Sequence, residues 1–216
     1  MTDQTANAPA LKPLKITCTS TDCANDLHCF RSTKKLAAVR KGGRCRSCGV
    51  DLVDWNRVHK RSLEDVDYTF TALRFELIRH YFWHAQLTQR VVNHVRRKGK
   101  AALRSFANGQ LRRLVGTARH AREGYQTPRE TSSSANAIHF AQHATACCCR
   151  KCAAEWHGIQ EDRSLTEQEL AYFTDLVMRY VEDRVPDLSE SGIAAPAMRR
   201  SQASQTDGGG GRTVRD

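Results

Sequence analysis

The chain has 216 residues, enough for one good-sized domain or a domain carrying a small module. Hydrophobic residues make up 40%, and no apolar run approaches the roughly 18 to 20 residues a membrane span needs, which argues against a membrane protein. The start, MTDQTANAPALKPLK, has no signal-peptide core, so a cytoplasmic protein is expected. Nine cysteines fall in two tight clusters, residues 18–48 and 147–152. Without an export signal, that pattern points to metal binding or thiol chemistry rather than a disulfide framework.

The formal net charge of +11 is unevenly spread. From Arg90 to Arg122 there are ten Lys or Arg residues and no Asp or Glu, whereas Glu123 to Met198 carries six basic and twelve acidic residues. A basic half joined to an acidic half predicts a directional electrostatic surface, with the basic run available for phosphate contact. A solvated basic helix face is the plainer alternative.

In chain order, residues 1–15 read as a flexible arm and 16–61 as a cysteine-bearing module with little helical periodicity. Ser62-Leu-Glu-Asp65 resembles a capping box opening a long helix. Its apolar face runs through Leu63, Val66, Phe70, Leu73, Leu77, Tyr81, His84, Val91 and Val95 and ends near Lys98-Gly99. A second helix follows over Ala101–Val115. Residues 123–137, with Pro128 and a serine run, read as a loop, and Ile138–Ala141 as a short strand or the entry to the second cysteine cluster. Cys148–His157 suits a helix stopped by Gly158. Thr166-Glu-Gln-Glu169 is a capping box flanked by Leu165 and Leu170, and it opens a helix whose stripe is Leu170, Phe173, Val177, Tyr180 and Val181. The fold class is therefore mainly α. A zinc-ribbon-like module (16–61) precedes a helical domain (62–188), and the tail from Ser189 to Asp216 is too poor in large apolar residues to order itself.

Cys18-x4-Cys23 followed by Cys45-x2-Cys48-Gly49 has the form of a zinc ribbon, in which two loops each offer a thiolate pair to a tetrahedral ion. His28 and Cys29 lie between them as spare donors, and the expected ligand set is Cys18, Cys23, Cys45 and Cys48. The second cluster lies in AQHATACCCRKCAAEWH, Ala141 to His157. Its reading as a helix places Cys149, Cys152 and His157 on one side, with His143 or Cys148 as a fourth ligand. Three consecutive cysteines on a helix cannot all face one ion, since neighbours point about 100° apart. Two zinc sites are expected. A thiol–disulfide centre at Cys149-x2-Cys152 lacks a surrounding βαβ pattern, and an iron–sulfur cluster has no specific spacing in its favour. A zinc deaminase needs H-x-E and P-C-x-x-C, and here Glu and Pro are both absent.

Gln126-Thr-Pro128, Ala141-Gln-His-Ala-Thr145, Cys148-Cys-Arg150, Cys152, Trp156-His-Gly158 and Leu165-Thr166 resemble an uncharacterised family of small bacterial proteins. Members carry a QTP turn, an AQHATATCCRxC segment, a WHGI-like end and a last helix opened by LT or LS. The resemblance spans about residues 95–185 and implies a domain but no activity. Cys147 stands where the family has Thr, which marks it as a spectator. Arg129 to Ser134 replaces the family's Gly-rich turn.

His80 and His84 share a helix face but lack the Glu of a zincin motif, so histidines at a packed interface are the first reading. A site of His80, His84 and His143 with an open position for water is the alternative. The leading functional expectation is a zinc-dependent, nucleic-acid-associated protein, an architecture that fits binding better than catalysis. The zinc-ribbon-like module would form a small basic platform, and the 90–122 run, through Arg96, Arg97, Lys98, Lys100, Arg104, Arg112 and Arg113, would meet phosphates, with Trp55 and Trp83 as candidate stacking surfaces. The alternatives are a metal-dependent hydrolase or nuclease near His143, Cys149, Cys152 and His157, with Glu155 or His157 as base, and an interaction module with structural zinc.

Overall fold

Thr166 carries the strongest local signal in the chain. Its hydroxyl accepts from Glu169 N while the Glu169 carboxylate accepts from Thr166 N, so two orphan donors at the helix start are satisfied reciprocally. The computed structural model describes residues 16–31, 43–119 and 136–195, and it is mainly α as expected, with two isolated β-bridges but no strand among the described residues. Among the described residues seven α-helices follow in order: α1 (Trp55–Lys60), α2 (Val66–Ala72), α3 (Leu77–His84), α4 (Gln89–Val115), α5 (Ala137–Ala144), α6 (Arg150–His157) and α7 (Glu167–Arg184). The expected arm (1–15), the QTP turn with its following loop, and the tail beyond residue 195 lie outside the described residues.

The long helix expected from Ser62 to Lys98 is broken twice. Glu76 is extended (φ −93°, ψ 123°), because His28 pairs there as a short parallel bridge: His28 N donates to Phe75 O at 2.7 Å and Leu77 N to His28 O at 2.9 Å. A distant segment thus supplies the hydrogen bonds that the helix gives up. The second break falls at Ala85, and Thr88 then caps α4 through Val91 N. Ser62 caps only a 3-10 turn, and Asp65 turns instead to Arg57. The break read at Gly99 is present as a kink inside α4 (φ 69°, ψ 171°). It frees backbone groups that the chain after α7 satisfies: Lys100 N donates to Ser189 O, Ala101 N to Glu190 O, and Ile193 N to Arg96 O. Residues 189–195, read as the start of the tail, therefore lie along this kink, where a Cβ on Gly99 would come within 2.4 Å of Ser191.

Ile138–Ala141 belongs to α5, which opens with its own capping box of Asn136 and His139. The largest packing interfaces join α4 to α7, α3 to α5, and α5 to α7. Their centre holds Tyr172, Phe173, Leu176, Leu103 and Leu111, all fully buried. The N-terminal module joins this core through Phe30 and Trp55, whose rings lie 5.7 and 5.1 Å from that of Trp156 on α6. No helix among the described residues is long and apolar enough to cross a membrane.

Candidate metal centres

Gly49 (φ 79°) turns the chain so that its N–H reaches Cys45 O and Cys45 N reaches Val50 O, both at 2.9 Å. That tight turn aims backbone N–H groups at sulfur. Desolvation alone would raise the Cys45 thiol pKa, yet N–H groups of Cys29, Cys48 and Ser47 bring it down to about 6. Donor atoms of Cys23, His28, Cys45 and Cys48 converge within 4.8 Å of one another. Cys23 Sγ lies 3.8 Å from Cys45 Sγ, and Cys48 Sγ lies 3.5 Å from His28 Nδ1. A tetrahedral zinc ion with ordinary bond lengths requires S···S edges of about 3.8 Å and S···N edges of about 3.6 Å. Three sulfurs and one imidazole therefore already stand at ligand spacing. His28 occupies the place expected of Cys18, and it is positioned by its bridge to Glu76.

Cys18 points elsewhere. Its carbonyl accepts from Cys29 Sγ at 3.2 Å, and its thiol is among the groups that favour the thiolate of Cys152 in the second cluster. Cys29 is fully buried outside both groups, and burial pushes its thiol up to about 11.

In the second cluster, the sulfurs of Cys148, Cys149 and Cys152 lie within 4.8 Å of one another. Regular helix geometry forbids neighbouring cysteines from converging, and the backbone here is not regular. Ala146 is left-handed (φ 57°) and Cys149 is extended (φ −160°, ψ 163°), serving as the N-cap of α6 with its sulfur accepting from Cys152 N. Cys147 sits outside the group, its Sγ donating to Thr145 O, and burial raises it to about 12.

His157 and His143 are not brought to this cluster. Five residues at about 100° each put His157 some 140° round the helix from Cys152. It is fully buried, with Nε2 donating to Thr145 O at 3.0 Å and Nδ1 3.3 Å from Tyr172 Oη. Burial depresses its pKa to about 3. The His143 ring stacks on Phe82 with centroids 4.4 Å apart. His80 and His84 contact each other at 4.1 Å, and neither joins a metal-binding group with His143 among the described residues.

Arg79 was missed in the sequence, where it reads as one more charge on a mixed helix. It is buried, with Nε 2.9 Å from Glu76 Oε2, Nη1 2.7 Å from His143 O, and Nη2 3.2 Å from Cys152 Sγ; Cys148 Sγ lies 3.9 Å from Nη1. Glu76 also accepts from Trp156 Nε1 at 2.7 Å, while burial raises its pKa. Hydrogen bonds from the thiols of Cys148, Cys149 and Cys18, aided by Arg79 against the cost of burial, hold Cys152 well below an ordinary thiol. The available retrospective clue was Glu76-x2-Arg79, an i,i+3 ion pair interrupting an apolar stripe.

The basic run expected to meet phosphates lies on α4, beside the acidic α7. Arg96 pairs with Asp187 at 2.8 Å, Lys100 with Glu182 at 3.4 Å, Arg112 with Glu167 at 2.6 Å, and Arg104 with Asp175. Lys98 lies over the Phe106 ring at 5.1 Å, while Arg97 and Arg113 are exposed. The charge asymmetry between the two halves is thus largely spent inside the fold. Trp83 is core, with Nε1 bound to Asp183 at 2.8 Å, and half-buried Trp55 donates to Gly43 O at 2.9 Å, so neither presents an open stacking face.

The fold and the two clusters define a helical protein with two sulfur-rich groups able to hold metal ions. A family model described as a domain of unknown function (DUF4186) matches residues 67–182, more than half of the chain, and the protein belongs to this family. The match begins earlier than the resemblance read from the motifs and takes in Arg79 and the second cluster; the first cluster and Cys18 precede it. No solved structure matches the chain.

Proposed function

We propose that this is a zinc protein whose metal centres are structural rather than catalytic, and that it binds nucleic acid through its N-terminal module. The observation that carries the zinc reading is the first cluster, where edges of 3.8 and 3.5 Å among Cys23, Cys45, Cys48 and His28 match a closed tetrahedral shell. Thiolate-rich sets select soft or borderline metals over Mg²⁺ or Ca²⁺. A hydrolase would need an open coordination position and a weaker-donating shell. Its histidine candidates at the second cluster, His143 and His157, are committed to Phe82 and to Thr145 and Tyr172.

Of the two basic regions expected to meet nucleic acid, α4 and the module, the module is the one this reading keeps. On α4 four of the seven candidate cations are paired with carboxylates near α7 or just beyond it. In sequence, residues 31–46 carry seven Lys or Arg and no Asp or Glu, between the two halves of the first cluster. A rigid, metal-held base bearing a short cationic segment suits phosphate contact without base-specific reading.

The test is fluorescence anisotropy with single- and double-stranded oligonucleotides. Affinity should fall at least about tenfold between roughly 50 and 200 mM salt. Replacing Lys34, Lys35, Arg40 and Lys41 together with Ala should abolish binding, whereas Arg104→Ala with Arg112→Ala should change it less than about threefold. Undetectable binding at 50 mM salt by a zinc-loaded chain would leave no nucleic-acid role and make a protein-interaction module the reading to pursue.

A further inference from the structure

We propose that Cys18 is the fourth ligand of the second cluster, making Cys18, Cys148, Cys149 and Cys152 a four-cysteine metal centre that clamps the N-terminal module to α6. This rests on reading the clusters as zinc centres. Three sulfurs of the set already converge at the start of α6. Cys18 comes from a segment about 130 residues away in sequence that packs beside α6; its thiol favours the Cys152 thiolate, and it does not stand within that mutual distance of all three sulfurs. Other contacts hold the segment there independently. The Cys18 carbonyl accepts from Cys29 Sγ, Arg31 pairs with Glu155 of α6 at 3.1 Å, and Phe30 packs edge-on against Trp156.

The surroundings suit such an ion. Zn²⁺ with four thiolates carries two negative charges, and binding sends to solvent the protons of those cysteines still present as thiols. A buried anion of that kind needs cationic partners that also donate hydrogen bonds to sulfur. Arg79 does so, at 3.2 Å from Cys152 Sγ and 3.9 Å from Cys148 Sγ, and its own position is secured by Glu76 and the His143 carbonyl. Arg31 stands nearby with a favourable field on Cys18, Cys149 and Cys152. Neither Cys147 nor Cys29 competes: each donates its S–H to a backbone carbonyl, Thr145 and Cys18 respectively.

Native mass spectrometry and X-ray absorption of the full chain test this. The wild-type chain should carry two zinc ions with an average shell of about 3.5 sulfurs and 0.5 nitrogens, the mean of one three-sulfur and one four-sulfur site. Chelator competition should show Cys18→Ser weakening one zinc by at least about 100-fold and leaving the other unchanged. Cys29→Ser and Cys147→Ser should keep both. If Cys18→Ser does not fold, Cys18→His restores a donor and should recover two zincs, while the wild-type absorption shell needs no variant. Two zincs at wild-type affinity in Cys18→Ser would overturn the role of Cys18 and leave the zinc reading standing. One zinc or none in the wild type, or a Cys149–Cys152 disulfide in the reductant-treated protein, would remove the second centre itself.

Discussion

The two cysteine clusters share donor chemistry and differ in how they are built. The first is assembled within one stretch of chain, residues 23–48, around a glycine turn, and it includes an exposed sulfur, Cys48. The second is buried except for part-exposed Cys149, is made by an irregular turn at the start of α6, and is backed by an arginine from α3. A metal in the first would stabilise a segment with few apolar residues of its own, as in small zinc modules. The second sits in a core that already packs Trp156, Tyr172 and Phe173, so a metal there adds to an existing framework. Local turn chemistry governs one site, and tertiary packing governs the other.

Arg79→Met should give the largest effect, and should strike the second cluster first. It leaves the Glu76 carboxylate buried beside Trp156 without its cation, and it strips two sulfurs of a donor. Breaking a buried pair from one side costs about 3 to 5 kcal/mol. For a chain of this size that is a fall in Tm of roughly 10 °C. Calorimetry should show it, and the double variant with Glu76→Gln should recover part of the loss. A fall of less than about 2 °C would mean that Arg79 is not what holds this region together.

Acid should separate the clusters next, through His157 in the core beside the second. Its pKa is about 3 in the folded chain, against 6.5 for an unperturbed histidine, chiefly because of burial. The unfolded chain therefore binds the extra proton between those values. The stability this group contributes is fully present above about pH 6.5 and is lost as pH falls towards 3, by roughly 1.4 kcal/mol per pH unit. Denaturant titrations at pH 7.0 and 5.5 should show the slope, and His157→Gln should flatten it while zinc content is followed alongside. An unchanged slope in the variant would assign the acid sensitivity to the metal ligands instead.

The parts of this molecule legible in sequence are those written in local rules. The Thr166 capping box, the break at Gly99 and the stop at Gly158 each appear at the residue expected. What escaped depended on distant partners. The helix from Ser62 breaks at Glu76 because His28 pairs with it, and no periodicity in residues 62–98 contains that fact. Cys18-x4-Cys23 and Cys23-x4-His28 have identical spacing, so choosing the fourth member of the first cluster required knowing which side of Cys23 faces α6. The α4 cations look available until the acidic α7 is placed alongside them.

Gly49→Ala should give the smallest effect and the sharpest distinction, since it touches only the turn of the first cluster. At φ 79° an alanine pays about 1 to 2 kcal/mol for left-handed backbone. That strain falls on the turn presenting N–H groups to Cys45 Sγ, so zinc affinity at the first site should drop about five- to thirtyfold while the second site holds its ion. Gly49→Asn should lose less, because asparagine tolerates this region better. Gly43 provides the contrast. It too has a positive φ, 94°, but a Cβ there would lie 2.1 Å from the Trp55 ring nitrogen. Its cost is therefore steric as well as conformational, and Gly43→Asn should rescue nothing. Chelator titration of the three variants reads both sites at once. Equal losses for Gly49→Ala and Gly49→Asn would mean that the turn contributes space rather than backbone conformation.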